Sequence, residues 1–188
     1  MIRRKHKEYK ISDEDFAKCA AFVEARLAEN QDLYKKRGGF KEEDLWVGVL
    51  AEFASYYYLK EKKIEVEEPD LKIYNSRKKS YNADLSDGKR QFHIKGQSER
   101  SASLYGDSWL LQRYDKIVKN PHRNHFIVPC RVDIDKRKVK IWGIVSNFAI
   151  HRKGCWGECK HPAFRTTKVA IYLDSLYDKL SNKQMWSV

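Results

Sequence analysis

The segment NADLSDGKRQFHIKGQ, residues 82–97, constrains the fold more tightly than any other part of this sequence. Its centre, Asp87–Gly88, is a pair typical of a two-residue β-turn, so the residues on either side are expected to form a β-hairpin. In that register Asp84 on the first strand faces Gln91 on the second. Side chains alternate between the two faces of a strand, so every second residue after Gln91 should share the face of Asp84.

The shared face of this hairpin would carry an acid (Asp84), an imidazole (His93) and an ammonium group (Lys95) within reach of one another. A four-residue loop would keep these residues on one face, whereas a three-residue loop would separate Asp84 from the other two. Polar residues are also common on the solvated face of an ordinary hairpin. The pattern therefore has two interpretations, a functional cluster and a plain surface.

A second feature is an acid inside an apolar helix. The segment DLWVGVLAEFASYYYLKEKK predicts a helix that starts near Asp44, and Glu52 is the sole charged residue between Leu45 and Leu59. Burying an unpaired carboxylate costs several kcal/mol unless it is paired or binds a metal ion. Glu52 is therefore either partly exposed or paired with a nearby lysine, or it points at the hairpin and shares a cation with Asp84.

Other segments complete the predicted organisation. SDEDFAKCAAFVEARLAEN predicts a helix capped by Ser12, with Asp15 in the position of a capping-box acid. The remaining expectations are strands in IEVEEPDLKIYNS, a loop in SERSASLYGDS, a helix in SWLLQRYDKIV, strands in HFIVPCRVDI and KVKIWGIVS, and either a strand or a short helix in KVAIYLDSLYDKL. Helices that alternate with strands predict an α/β or α+β domain around one mixed sheet.

These motifs together resemble the PD-(D/E)XK nuclease superfamily. GVLAEFASYYYL is similar to the first helix of that superfamily, which often contributes an acid. ADL and FHIKGQ resemble its two central strands, with Asp84 as the first acid and Lys95 as the motif lysine. HFIVPCRVDIDKRKVKIWGIVS is similar to the two later strands of restriction-enzyme-like folds.

The resemblance implies an α/β fold, a restriction-endonuclease-like mixed β-sheet flanked by helices, in a single domain over residues 1–188. Within it we expect an N-terminal helical segment at 1–40, a core at about 44–146 and a C-terminal extension at 147–188. Many nucleases of this kind form dimers, so a homodimer is a further expectation.

The resemblance also implies the hydrolysis of DNA phosphodiester bonds by a metal-dependent endonuclease. A Mg²⁺ or Mn²⁺ ion would lie between Glu52, Asp84 and His93 and lower the pKa of a bound water. Lys95 would orient that water or stabilise charge on the phosphorus. Gln97, and also Gln91, would hold the water or a phosphate oxygen.

His93 departs from the superfamily pattern, which has Asp or Glu at this position, and Ala83 replaces the proline that often precedes the first acid. A neutral imidazole at His93 could bind metal and favour Mn²⁺. It could instead act as a general base near neutral pH. The alternative function is a protein that binds DNA on a nuclease-like fold without cutting it.

The net charge of +12 favours polyanionic partners such as DNA. No run of about 18 apolar residues is present, so neither a membrane span nor a membrane partner is expected. Five basic residues are candidates for DNA contact, although each is also an ordinary surface charge: Lys35, Lys36, Arg37, Arg100 and Arg113. As a set they predict binding that weakens steeply with salt.

The chain has four cysteines. Cys19 and Cys130 fall in apolar patterns and are expected to be buried free thiols, which suit a reducing cytoplasm. No apolar stretch follows the basic N-terminus, so a secretory signal is not expected. The remaining two cysteines belong to HRKGCWGECKH, which offers four possible zinc ligands: His151, Cys155, Cys159 and His161. The spacing is uncommon, so the alternatives are a zinc-stapled interaction protein and a loop without metal.

Overall fold

Two β-sheets organise the chain in the computed structural model, which describes residues 5–29, 42–73 and 83–180. The larger sheet has six strands and is mixed, and the smaller sheet has three antiparallel strands. The predicted α/β class is therefore confirmed, whereas the expectation of one sheet is wrong for these residues. No helix in the described ranges is long and apolar enough to cross a bilayer.

The helices and strands are numbered here in chain order. The described residues form the strands β1 (Lys7–Lys10), β2 (Leu85–Ser86), β3 (Gln91–Ser98), β4 (Ser108–Gln112), β5 (His125–Asp133), β6 (Lys138–Ile141), β7 (Val145–Ser146), β8 (Trp156–Glu158) and β9 (Lys168–Tyr172). They form the helices α1 (Asp13–Glu29), α2 (Glu42–Glu61), α3 (Glu99–Tyr105), α4 (Lys116–Lys119), α5 (Asn147–Arg152) and α6 (Leu173–Lys179). A 3₁₀ turn at Pro162–Phe164 precedes β9.

The larger sheet has the strand order β1-β6-β5-β3-β2, and β7 also pairs with β5. Strands β3 and β5 run parallel, so β3 lies inside the sheet with the short hairpin strand β2 at the edge. Successive side chains of β5 enter different cores: Phe126 joins the core beneath α2, and Ile127 joins the core of the smaller sheet. The larger sheet therefore separates two apolar cores.

Helix α1 begins with the reciprocal cap that the sequence predicts. Ser12 Oγ donates to Asp15 Oδ2 at 2.8 Å, and the backbone N–H of Asp15 donates to Ser12 Oγ at 3.1 Å. Asp15 Oδ2 also accepts a hydrogen bond of 2.7 Å from the hydroxyl of Tyr57 on α2. The cap thus joins the two long helices as well as starting the first of them.

Helix α2 approaches β3 closely because Gly96 has no side chain. A Cβ atom at Gly96 would lie 2.7 Å from Val47 Cγ1 and 2.9 Å from the carbonyl oxygen of Val47. Both separations are shorter than van der Waals contact, and the oxygen belongs to the helix backbone. The glycine therefore sets the distance between α2 and the strand that carries His93 and Lys95.

We expect Gly96→Ala to destabilise the protein by about 1–3 kcal/mol, because the added methyl group must displace α2. Gly48→Ala in the same helix is the matched control, because a Cβ at Gly48 meets nothing within 4 Å. Alanine favours the helix there and should stabilise it by up to about 1 kcal/mol. Urea unfolding of both variants measures these changes. Equal stabilities of Gly96→Ala and the unmodified protein would contradict the packing described here.

Two local predictions before β4 are wrong. Residues 64–73 contain no strand, although β-forming residues flank Pro69 there. SERSASLYGDS forms α3 rather than a loop, because Ser98 caps the helix by accepting a hydrogen bond of 3.2 Å from the backbone N–H of Ser101. Capping thus outweighs the polar composition that suggested a loop.

The segment SWLLQRYDKIV is a strand followed by a single helical turn, not the predicted helix. Trp109 and Leu111 are buried on one face of β4, and β9 supplies its hydrogen-bonding partner from a distant part of the chain. Tyr114, which the helical pattern placed inward, is 66% exposed. In KVAIYLDSLYDKL both possibilities occur in succession, as β9 and then α6.

Candidate active site

The β2–β3 hairpin closes through a four-residue loop rather than the predicted two-residue turn. Leu85 pairs with Phe92 and Ser86 with Gln91, so the next position places Asp84 opposite His93 instead of Gln91. The carboxylate of Asp87 makes the longer loop favourable, since it accepts hydrogen bonds from two loop backbone N–H groups, at 3.0 and 2.6 Å. A shift of two residues keeps the same faces together, as expected for a four-residue loop.

Asp84 and Lys95 come together beside this hairpin. Lys95 Nζ lies 3.8 Å from Asp84 Oδ2, and the two side chains remain 26% and 30% exposed. The same carboxylate oxygen accepts a hydrogen bond of 2.7 Å from the backbone N–H of Ile94. Asp84 is therefore held against β3 by a main-chain contact and presents its charge beside an ammonium group that solvent can reach.

Glu52 of α2 lies in the electrostatic field of this pair. Burial and, next to it, the negative charge of Asp84 raise the pKa of the Glu52 carboxyl to about 8, against the opposing charges of Lys95 and Arg26. Helix α2 covers the face of β3 that carries Phe92 and Ile94. Asp84 lies just before the edge strand β2. Its negative charge and that of the Glu52 carboxylate on α2 repel each other.

His93 is buried, with 8% of its surface exposed, and contacts a histidine that the sequence did not suggest. Its Nε2 lies 2.9 Å from Nδ1 of His125 on β5, and the two rings stack with centroids 5.1 Å apart. If Nδ1 of His93 is to offer a lone pair, Nε2 must carry the hydrogen and donate it to His125. The contact with His125 accommodates either direction of donation, and the tautomer with the hydrogen on Nε2 of His93 is the one that leaves a lone pair on Nδ1.

The stability of the protein should fall as the pH drops from about 6.5 to about 4 because of His93. Burial, together with the charge of Lys95, lowers the pKa of His93 from 6.5 to about 4. Between these two pH values His93 is protonated in the unfolded chain but not in the folded chain. This difference lowers the free energy of unfolding by about 3 kcal/mol. Urea unfolding across this pH range measures the loss.

His93→Gln is the comparison for this pH dependence, because glutamine does not titrate. The difference in unfolding free energy between the two proteins should change by about 3 kcal/mol across the interval. Curves that stay parallel from pH 6.5 to pH 4 would show that His93 is not buried in its neutral form.

The predicted ligand set is brought together only in part. Among residues 5–29, 42–73 and 83–180, no group of three or more His, Cys, Asp or Glu side chains is arranged to hold a metal ion. Glu52 and Asp84 act on each other electrostatically, whereas Nε2 of His93 is engaged with His125. The described geometry thus offers two carboxylates and an ammonium group rather than a preformed three-ligand centre.

The Gln97 side chain is buried, and both ends of its amide form hydrogen bonds within the protein. Its Oε1 accepts from the backbone N–H of Ser108 at 2.9 Å, and its Nε2 donates to the carbonyl oxygen of Gly106 at 3.0 Å. Both ends of the buried amide therefore hold the turn between α3 and β4. The amide of Gln91 donates to Ser86 Oγ at 3.0 Å within the hairpin.

The basic residues predicted to bind DNA are described only in part, since Lys35, Lys36 and Arg37 lie outside the described residues. Arg100 is exposed on α3. Arg113 is also exposed, and its Nη2 donates to the carbonyl oxygen of residue 165 at 2.9 Å. DNA contact by these side chains stays a prediction.

The four possible zinc ligands form no metal-binding group among the described residues. Nε2 of His151 lies 2.8 Å from the carbonyl oxygen of Ile117, and Cys155 is buried in the core of the smaller sheet. Cys159 and His161 both line a pocket beside that sheet. All four cysteines of the chain are buried free thiols, which confirms the expectation for Cys19 and Cys130. The zinc site stays a prediction from the sequence.

Comparisons with known proteins add no assignment. No family model, curated protein or solved structure matches this chain. Any function proposed for the chain therefore depends on the chemistry of its own side chains.

His125 is the residue of this site that sequence reasoning missed. It begins the segment HFIVPCRVDI, whose pattern predicts a strand and nothing more. Its contact with His93 depends on the parallel pairing of β3 and β5, in which Gln91 lies opposite His125. A histidine at the start of a predicted central strand was the available signal, but the strand order was not readable from the pattern.

Proposed function

We propose that this protein is a metal-dependent endodeoxyribonuclease with a restriction-endonuclease-like fold. The observation that carries the proposal is the 3.8 Å approach of Lys95 to Asp84 across the hairpin. An acid and a lysine at this separation, one of them on an inner strand, are what the PD-(D/E)XK resemblance leads us to expect. The order α2, β2, β3, β5 and β6 along the chain is consistent with it.

A divalent cation fits the two acids of the site. The charge of Asp84 raises the pKa of Glu52, so the pair carries a repulsion that a cation would relieve. Mg²⁺ typically binds proteins through one or two carboxylates and completes its shell with water and substrate phosphates. Glu52 and Asp84 would hold the ion, which would neutralise phosphate charge and make a bound water more acidic.

The other side chains have roles that follow from their contacts. Lys95 is partly exposed and can donate hydrogen bonds to a phosphate oxygen as negative charge develops there. The backbone N–H of Ile94 fixes the orientation of the Asp84 carboxylate. Burial keeps His93 neutral, and in the tautomer that carries its hydrogen on Nε2, toward His125, its Nδ1 would accept a proton.

Cleavage assays test this proposal directly. The purified protein is incubated with supercoiled, linear, branched and single-stranded DNA in Mg²⁺, in Mn²⁺ and in EDTA. We expect cleavage of at least one substrate with metal and none with EDTA. Asp84→Asn, purified in parallel, controls for contaminating nucleases and should be inactive. Failure to cut any of these substrates with either metal would refute the proposal.

The second candidate is a DNA-binding protein without catalysis. It is favoured by the engagement of His93 with His125 and by the lack of a three-ligand group in the part of the chain that the structure describes. It predicts DNA binding that is sensitive to salt and unaffected by EDTA. Binding of this kind without cleavage would select it over the nuclease.

A further inference from the structure

A pocket of about 350 Å³ lies where the C-terminal end of β3 meets the smaller sheet. Its walls come from the start of α2, the end of β3 with α3, the strand β4 and residues 159–172. This volume is at the lower end of the range of roughly 300–1,000 Å³ for small-molecule sites. The pocket has room for one compact ligand and is too small for a duplex.

One wall of the pocket carries three aromatic rings. The ring of His161 stacks on that of Phe164, with centroids 4.7 Å apart, and the ring of Tyr105 is tilted by 49° against His161, with centroids 5.1 Å apart. All three residues line the pocket. Aromatic rings that line a pocket can stack with a nucleobase.

Two lysines border the same pocket. Lys168 Nζ lies 4.0 Å from the ring centroid of Phe164, and Lys160 Nζ lies 4.8 Å from that of Tyr172. Neither ammonium group forms a salt bridge with a carboxylate of the described residues, although the carboxylate of Asp44 also lines the pocket, so the two lysines leave one excess positive charge there. This excess positive charge attracts an anion and disfavours a cationic ligand.

A buried nitrogen adds a hydrogen-bonding position to this wall. Nδ1 of His161 is shielded from solvent and has no hydrogen-bond partner among the described residues. Buried polar atoms without a partner are uncommon and unfavourable. Hydroxyl groups of Ser98 and Ser101 also line the pocket. The pocket therefore combines aromatic rings, two ammonium groups and one buried nitrogen without a partner among the described residues.

We infer that this pocket binds one nucleotide, with its base against the rings of Tyr105, His161 and Phe164 and its phosphate beside Lys160 and Lys168. The nucleotide is either free or the unpaired end of a DNA strand, since both present a planar base next to a phosphate. Ser98 follows Lys95 by three residues, or about 10 Å along an extended strand, so the pocket is distinct from the Asp84–Lys95 pair. The inference goes beyond the proposed function, because it requires neither metal nor cleavage.

Binding measured in EDTA tests the pocket. A fluorescent single-stranded oligonucleotide with a 5′-phosphate, and separately dAMP, are titrated with the intact protein. Phe164→Leu, which removes the ring, should weaken oligonucleotide binding about tenfold. Lys168→Met should weaken it and lower the slope of log affinity against log salt by about 1.

Two exposed residues away from the pocket provide matched controls. Tyr114→Leu removes an exposed ring, and Lys119→Met removes an exposed ammonium group. Both variants should bind within about twofold of the unmodified protein. If dAMP binds with the same dependence on Phe164 and Lys168, the ligand is a free nucleotide. If only the oligonucleotide binds in this way, the ligand is a strand end.

Several results would overturn the inference. Equal losses in Lys168→Met and Lys119→Met would show that only general charge matters. Unchanged binding by folded Phe164→Leu would exclude stacking, and if that variant does not fold, the salt slope of Lys168→Met decides. Nucleotide binding in EDTA by a protein that cuts no DNA would refute the nuclease and keep the pocket. Cleavage and binding unaffected by the pocket variants would do the reverse.

Discussion

Replacing Lys95 with methionine is expected to lower the rate of DNA cleavage by about 100-fold or more, with little change in DNA affinity. Removing one preorganised donor that stabilises developing charge typically costs 10²–10³ in rate. Methionine keeps most of the length of the side chain and removes the ammonium group 3.8 Å from Asp84. Single-turnover cleavage and equilibrium binding in Ca²⁺ separate the two effects.

Lys89→Met is the matched control for this substitution. Lys89 lies in the same hairpin and is exposed, but the structure gives it no contact with Asp84 through its side chain. This variant should cut DNA at nearly the rate of the unmodified protein. If Lys95→Met cuts equally fast, Lys95 has no part in the reaction and the assignment of the site is wrong.

Glu52→Gln is expected to stabilise the protein at alkaline pH by up to about 5 kcal/mol. The pKa of Glu52 is raised from 4.5 to about 8 in the folded chain, so the folded state holds a proton that the unfolded state releases between these values. Its contribution to stability is therefore present below pH 4.5 and is lost as the pH rises through 8. Glutamine remains neutral throughout and does not show this loss.

Unfolding in urea between pH 5 and pH 9, with and without Mg²⁺, measures the effect of Glu52. The advantage of the glutamine variant should grow with pH, and Mg²⁺ should raise the melting temperature of the unmodified protein at pH 8 but not that of the variant. Glu43→Gln, in the first turn of α2, is the control and should leave both responses unchanged. A stability difference independent of pH would mean that Glu52 is not buried beside Asp84.

The approach of Asp84 to Lys95 was predictable from the sequence, and Glu52 stood out because its type is anomalous for its local pattern. Glu52 interrupts an apolar helix, and the faces of the hairpin follow from alternation even though its loop is longer than predicted. The loop length depends on Asp87, whose side chain replaces a tight turn by capping two backbone N–H groups. The dipeptide Asp87–Gly88 predicts a two-residue turn. It does not show that the Asp87 side chain will favour a four-residue loop instead.

The failures concern contacts between distant segments. The apolar residues of SWLLQRYDKIV fit a helix as well as a strand, and only the pairing with β9, about 60 residues later, decides for the strand. The position of His125 next to His93 likewise depends on the pairing of β3 with β5. A single sequence carries local preference but not the identity of the partner strand.

Helix α2 packs directly against Gly96, and this contact affects where inactivating substitutions are expected in the chain. Gly96 and Lys95 share a peptide unit. A change that displaces α2 from Gly96 would therefore also shift the backbone of Lys95. Screens for inactive variants should therefore recover enlarged side chains at Val47 and Ala51, although neither residue carries a reactive group. Positions that do not tolerate substitution would thus include apolar residues of the core as well as the charged residues at the surface.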